Sequence, residues 1–175
     1  GEEYTLVAVA DYVLSVKPGN TVSNLSSTRA LADVTRKAGG DYFAAAVGEV
    51  NVVTQMKAVN AIIGGEGNGG VIFPESHYGR DSLVGIGLFL THLANKGIKA
   101  SELRASYPAY VISKNKIELS ADLNVDLILA TVAEKYKNEK VNTIDGVKID
   151  FPDRWVHLRK SNTEPIIRIY AEASS

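Results

Sequence analysis

From Tyr4 to Ile63 the chain alternates between apolar stretches long enough for helices and short runs with strand character. No other feature limits the fold as much, because alternation of this kind packs helices against a largely parallel sheet. Tyr4–Val16 is apolar almost all round, through Leu6, Val7, Val9, Ala10, Val13 and Leu14. That predicts a helix buried on several sides. Pro18-Gly19-Asn20 stops it. Thr21–Leu25 reads as a strand, and Ser27 or Thr28 as the cap of the next helix. That helix ends at Gly39-Gly40, after Arg36 and Lys37 have placed cations in its last turn. Asp41–Val47 follows as a strand, and Gly48-Glu49 turns into a helix with Val52, Val53, Met56 and Val59 on one face. Ala61–Ile63 is the next strand.

Residues Gly64–Gly70 then place five glycines in seven positions. Glycine at that density permits close backbone approach and positive φ, at an entropic cost that an ordinary connector does not require. Three readings fit. One is a hairpin turning at Asn68-Gly69. Another is a dinucleotide fingerprint, since Gly65, Gly67 and Gly70 spell G-x-G-x-x-G; it requires a helix next, whereas Val71-Ile72-Phe73-Pro74 looks like a strand stopped by proline. The third is a carbohydrate loop, with Glu66 held out on a thin glycine platform where its carboxylate accepts hydrogen bonds from two adjacent sugar hydroxyls.

A polar loop from Glu75 to Asp81 precedes a long helix through Leu83, Ile86, Leu90 and Leu93, capped by Asp81 or Ser82 and closed by Gly97. Ser101–Ser106 adds a helical turn. The domain boundary falls there, with residues 1–105 forming one domain and 106–175 a second. Beyond it, Tyr110–Ser113 is a strand, and Lys116–Leu119 continues it or pairs beside it. Asn124 caps a helix carrying Val125, Ile128, Leu129, Val132 and Tyr136 on one face. Asp145-Gly146 opens a hairpin in which Val147, Ile149 and Phe151 alternate with Lys148 and Asp150. Strands around one helix predict an α+β domain with an antiparallel sheet.

Between two strand-like runs, Trp155–Leu158 and Ile166–Ala171, lies Arg159-Lys160-Ser161-Asn162-Thr163-Glu164-Pro165. This inventory suits a phosphate. Arg159 offers a planar fork of donors, Ser161, Asn162 and Thr163 add short ones, and Arg168 supplies a second cation from the next strand. A plain solvated hairpin loop is the competing reading.

Arg-x-Ser-Asn-Thr-Glu-Pro followed by Ile-Ile-Arg-Ile-Tyr-Ala-Glu resembles the phosphate-binding loop of the α-D-phosphohexomutases, the phosphoglucomutase and phosphomannomutase superfamily. Gly65-Glu66-Gly67-Asn68-Gly69-Gly70 is similar to that family's sugar loop, Gly-Glu-x-Ser-Gly-His, with Asn68 for serine and Gly70 for histidine. The resemblance covers essentially the whole chain but only the second half of a four-domain architecture. It implies a three-layer α/β domain with a mixed, mostly parallel sheet, then a small α+β domain with an antiparallel sheet. It implies a magnesium-dependent intramolecular phosphotransferase working through a bisphosphorylated intermediate. Gly65, Glu66, Gly67, Asn68, His77 and Arg80 would bind the sugar, and Arg159, Ser161, Asn162, Thr163 and Arg168 the phosphate. The catalytic serine loop and the Asp-Gly-Asp-x-Asp-Arg magnesium loop belong to the family's first two domains and occur nowhere here. The resemblance therefore implies no catalytic residue and no metal ligand in this chain, and no turnover by it alone. Its expected partners are a phosphorylated hexose and the N-terminal domains of the same protein. The alternative is a stand-alone phosphosugar-binding module.

Composition narrows the remaining classes. The chain has 175 residues, 45% apolar and 22% charged, enough for one sizeable domain or two small ones with a buried core. A formal net charge of −1, without a long single-sign run, argues against nucleic acid as partner. Without cysteine there is neither a disulfide framework nor a zinc-thiolate site, and His77, His92 and His157 lack ligand spacing. Neither a secretory signal nor a membrane-spanning run is legible, so a cytoplasmic location is expected. A start at Gly1-Glu2-Glu3 without methionine reads as an excised piece of a longer protein.

Overall fold

The computed structural model describes residues 2–118, 123–161 and 164–174. They form two compact units, Gly1–Ala109 and Tyr110–Ser175.

The first unit is built as the alternation predicts. Helix α1 (Glu2–Val16) precedes strand β1 (Thr21–Asn24), helix α2 (Ala30–Lys37), strand β2 (Tyr42–Ala45), helix α3 (Glu49–Ala58) and strand β3 (Ile63–Gly65). A two-residue strand β4 (Val71–Ile72) and helices α4 (Ser82–Lys96) and α5 (Ala100–Ala105) complete it. The sheet runs β2-β1-β3-β4; β1 is parallel to β2 and β3, and β4 is antiparallel to β3. Helices flank both faces. A Cβ on Gly64 would meet Met56 of α3, and one on Gly65 would meet Leu6 of α1, so these two helices cover opposite sides of β3. Val22, Ala45, Val52, Met56, Ala61 and Ile72 form the core beneath α3.

Strand β3 ends two residues later than the apolar run suggests, because Gly64 and Gly65 are part of it. A side chain at Gly64 would lie 2.5 Å from Met56 Sδ and 2.7 Å from the Val22 carbonyl, so only glycine continues the strand there. Capping follows the sequence signals. Thr28 Oγ1 accepts from Ala30 N at 3.2 Å, and Asp81 Oδ1 accepts from Leu83 N and Val84 N at 2.9 and 3.0 Å. Gly97 closes α4 at φ 63°. Asp11 of α1 accepts hydrogen bonds from Tyr107 Oη (2.9 Å) and meets His92 Nε2 of α4 (3.0 Å). Tyr4 Oη donates to the Pro108 carbonyl at 2.6 Å, so the chain stays fastened to this unit through Pro108.

In the second unit, strand β5 (Tyr110–Glu118) is continuous, so the run from Lys116 continues the first strand and does not pair beside it. Helix α6 (Val125–Lys135) is capped by Asn124, whose Oδ1 accepts from Leu127 N at 3.0 Å. Strands β6 (Lys140–Asn142), β7 (Val147–Asp150), β8 (Arg154–Lys160) and β9 (Ile166–Ser174) follow. The wholly antiparallel sheet has the order β5-β9-β8-β7-β6. Val125 and Leu129 of α6 pack on Val147, Ile149 and Ile167. Strand β6 carries only three residues of mixed polarity, too short for a periodic signal.

The opposite face of this sheet is polar yet partly buried. Lys148, expected on the solvent side of its hairpin, is 6% exposed, with Nζ 4.6 Å from the Trp155 ring and 3.6 Å from Asp150 Oδ1. Burial pushes its pKa down, against the pull of Asp150 and Glu172. Trp155 Nε1 donates to Glu172 Oε1 at 2.8 Å. Next to Lys148 in the register, His157 is 1% exposed, and its Nε2 lies 2.7 Å from the Asp145 carbonyl.

Burial also holds the pKa of His157 below its ordinary value. The folded chain thus keeps the ring neutral to a lower pH than the unfolded chain, which takes up a proton below about pH 6.5. Stability contributed by His157 is present above that pH and is lost as pH falls toward the depressed folded value. Denaturant unfolding at about pH 7.5 and about pH 5.5 should show a larger loss in the wild type than in His157→Gln. Equal losses would mean that His157 titrates as it does in the unfolded chain.

Candidate functional site

The glycine run is a tight hairpin. Glu66 N donates to the Gly70 carbonyl (3.0 Å) and Gly69 N to the Glu66 carbonyl (3.2 Å), while Gly70 N donates to Asn68 Oδ1 (3.0 Å). A Cβ on Gly65 would sit 2.0 Å from the Gly70 carbonyl oxygen, so β3 and β4 approach closely only because the position has no side chain. The hairpin leads into β4 and not into a helix, which removes the context that a dinucleotide fingerprint needs.

Glu66 is not held out into solvent as the platform picture predicts. It is 6% exposed, and both carboxylate oxygens are engaged. Asn24 Nδ2 donates to Oε1 at 3.0 Å, and Arg80 Nη1 lies 3.4 Å from Oε2. Arg80 is fixed in turn: its Nε donates to Glu49 Oε2 at 2.7 Å and its backbone N–H to Glu49 Oε1 at 3.1 Å. These two donors, the side chain first, hold the Glu49 carboxyl below its ordinary pKa. A backbone bridge between Ile72 and Arg80 keeps the arginine beside the hairpin.

Asn24 and Ser27 carry the underside of the loop. Asn24 Oδ1 accepts from Ser26 N (3.0 Å) and Ser27 Oγ (2.9 Å), and Ser27 Oγ accepts from Gly67 N at 2.9 Å. Glu3 Oε2 accepts from Thr28 N at 2.9 Å, and its carboxylate lies so close to Gly67 that a Cβ there would be 2.2 Å away. Asn24 ends β1, and Glu49 and Glu66 follow the carboxyl ends of β2 and β3, where open α/β sheets place their ligands. Sequence reasoning missed Asn24, Ser27 and Glu49. The polar run Asn24-Leu25-Ser26-Ser27-Thr28 after a buried parallel strand was the available signal.

His77 and Arg80 flank this cluster differently. Arg80 joins it directly, whereas His77 Nε2 meets Asp81 Oδ2 at 3.0 Å on the exposed side of the loop. Asp81 acts as helix cap. The Val84 N–H, and after it His77, hold its carboxyl below the ordinary value.

In the second unit, Arg159 and Arg168 are direct cross-strand partners on β8 and β9, so both project on the face away from α6. Arg168 Nη2 donates to Glu164 Oε2 at 2.9 Å. Arg159 Nε is buried and lies 3.7 Å from Asp145 Oδ2, beyond hydrogen-bonding distance; among the described residues it has no acceptor. Gly146, at φ 73°, lets the preceding turn approach this point, because a Cβ would fall 2.1 Å from the Leu158 carbonyl and 2.8 Å from Arg159 Cα. Ser161 is buried, and its N–H donates to the Ile166 carbonyl at 3.0 Å. Asn162 and Thr163, the other expected phosphate donors, lie outside the described residues.

Among the described residues no group of three or more His, Asp or Glu side chains converges to hold a metal ion. No described helix is long and apolar enough to cross a membrane.

An α/β domain followed along the chain by a small α+β domain is also found in known proteins. The sequence profile of the phosphoglucomutase/phosphomannomutase alpha/beta/alpha domain III matches residues 2–110, and that of the family's C-terminal domain matches residues 114–175. The chain belongs to the phosphoglucomutase/phosphomannomutase family. It is 39% identical over 174 residues to a phosphoglucomutase/phosphomannomutase of Thermococcus kodakarensis, covering 98% of this chain and 38% of that protein. A probable phosphoglucosamine mutase of Methanopyrus kandleri is 31% identical over 179 residues, covering 100% of this chain and 39% of its own length. The crystal structure of a phosphoglucomutase/phosphomannomutase family protein from Burkholderia thailandensis superposes with a TM-score of 0.80 at 28% identity, over 99% of this chain and 37% of that one. The chain thus spans well under half the length of the relatives it matches.

Replacing Glu66 should cost stability as well as any binding role. Glu66→Ala leaves the buried Asn24 amide without its acceptor and Arg80 without its second carboxylate, a loss of about 1–3 kcal/mol. Glu66→Gln, which retains an acceptor for Asn24, should lose less. If Glu66→Ala unfolds in denaturant like the wild type, the carboxylate is not anchored as described.

Proposed function

We propose that the whole protein interconverts hexose 1-phosphate and hexose 6-phosphate through a bisphosphorylated intermediate, and that this chain supplies its recognition of the sugar and of the phosphate. Membership of the phosphoglucomutase/phosphomannomutase family supports the reaction class. In the first unit, Glu66 receives sugar hydroxyls, with Gly65, Gly67 and Asn68 shaping the loop; Arg80 sets the carboxylate's position and His77 stands at the rim. In the second, Arg159, Arg168, Ser161, Asn162 and Thr163 receive the phosphate. The phosphate-carrying nucleophile and the magnesium ligands belong to the N-terminal domains of the same protein. Magnesium would supply charge neutralisation there, and the chain by itself is inactive because holding a substrate does not replace a nucleophile. The protein is cytoplasmic on this reading, and its ligand is a phosphorylated hexose.

One observation carries the phosphate assignment. Two guanidiniums sit directly opposite each other on neighbouring strands, an arrangement that costs stability unless anions balance it. One of them has a buried N–H with no acceptor among the described residues. A phosphate answers both needs, since its oxygens match the arginine fork.

Charge-assisted hydrogen bonds contribute roughly 1.5–3 kcal/mol each, so Arg159→Ala should weaken phosphosugar binding about tenfold to a hundredfold. Arg159→Lys keeps the charge but not the fork and should recover only part of that loss. Affinity for the unphosphorylated sugar should be nearly unchanged in both variants. Calorimetry with each sugar decides: equal losses for phosphorylated and free sugar would make Arg159 a support for loop shape only.

A further inference from the structure

The cations at this end of the second sheet extend beyond the arginine pair. In the register, Lys116 of β5 lies directly opposite Arg168 of β9, which lies directly opposite Arg159 of β8. Directly opposed residues of antiparallel strands project on the same face. The three side chains therefore form one row across three strands, with neighbouring strands about 4.8 Å apart.

Charge balance shows what the lysine adds. Glu164 pairs with Arg168, and Asp145 lies beside Arg159 without hydrogen-bonding to it, so two carboxylates offset part of the charge of the two guanidiniums. Lys160 projects to the other face, toward α6, where Asp126 Oδ2 is 4.0 Å from its Nζ. Lys116 is exposed and, among the described residues, makes no ion pair. It adds a third cation to the row, and Glu118 follows two residues on along the same face of β5.

We propose that Lys116 is a further phosphate-binding residue, which draws the anion to the row and flanks it once Arg159 and Arg168 hold it. This rests on reading the Arg159 loop as a phosphate site. The lysine contributes as an exposed point charge, whereas the arginines contribute directional hydrogen bonds. Its share is therefore the more sensitive to ionic strength. A lysine on β5, an edge strand of this sheet, also guards against edge-to-edge pairing, and that role alone would leave anion affinity untouched.

The test is calorimetric titration of the full chain with inorganic phosphate at low and at high salt, using wild type, Lys116→Gln, Lys116→Arg, Lys116→Glu and Arg159→Ala. Removing an exposed charge interaction should weaken phosphate binding by roughly two- to fivefold in Lys116→Gln. Lys116→Arg should restore the wild-type affinity, and Lys116→Glu should fall below Lys116→Gln. Added salt should weaken the wild type more than Lys116→Gln, which a purely structural role would not produce. If Lys116→Gln binds phosphate like the wild type at both salt levels while Arg159→Ala does not, the lysine is an edge guard and the Arg159 assignment survives alone. If Arg159→Ala also binds like the wild type, or the wild type itself does not bind, the phosphate reading falls and this inference with it.

Discussion

The Glu66 carboxylate is fixed on both oxygens before any ligand arrives, and the first unit's candidate site depends on that constraint. Asn24 donates from the end of β1, Arg80 closes from the loop before α4, and Glu49 at the start of α3 locks Arg80 in place. Three parallel strands thus deliver one polar side chain each to the same edge of the sheet. A carboxylate held this way loses little conformational freedom on binding, which is how preorganised groups gain affinity. The hairpin that presents it requires glycine for a packing reason: at Gly65 the two strands approach until a Cβ no longer fits.

In the second unit the governing constraint is electrostatic. Arg159, Arg168 and Lys116 are brought into line by strand register, with Glu164 paired to Arg168 and Asp145 beside Arg159. Such a row remains in a folded sheet at a cost, and on the proposed reading a phosphate offsets that cost. Ser161 belongs to the frame of this loop, since it is buried and its N–H closes the turn onto Ile166.

Much of this was legible in the sequence, for physical reasons that differ by element. The helix-strand alternation, the Asp81 and Asn124 caps and the Gly97 stop rest on local backbone chemistry, and they appear where the residues place them. The glycine hairpin was legible as a turn. The depth of Glu66 was not, because its burial comes from Asn24 and Arg80, respectively 42 residues before it and in a separate loop. Burial of Lys148 was likewise hidden: strict alternation predicts a solvated side chain, and the contacts with Trp155 and Asp150 appear only once β7 and β8 are paired. Continuity of β5 through polar residues such as Ser113, Lys114 and Asn115 comes from its pairing along the whole of β9, a tertiary cause invisible to periodicity. The cation row belongs to the same class, since residues 116, 159 and 168 become neighbours only through register.

On the proposed reading the two units carry two recognition loops, a carboxylate hairpin for hydroxyls and an arginine loop for phosphate. Amide chemical-shift mapping by NMR during titration of the full chain with glucose 6-phosphate tests it most directly. The largest shifts should cluster at Gly65–Gly70 and at Arg159–Arg168, and inorganic phosphate should reproduce only the second cluster. Shifts concentrated elsewhere, or a phosphate response centred on the Glu66 hairpin, would contradict it.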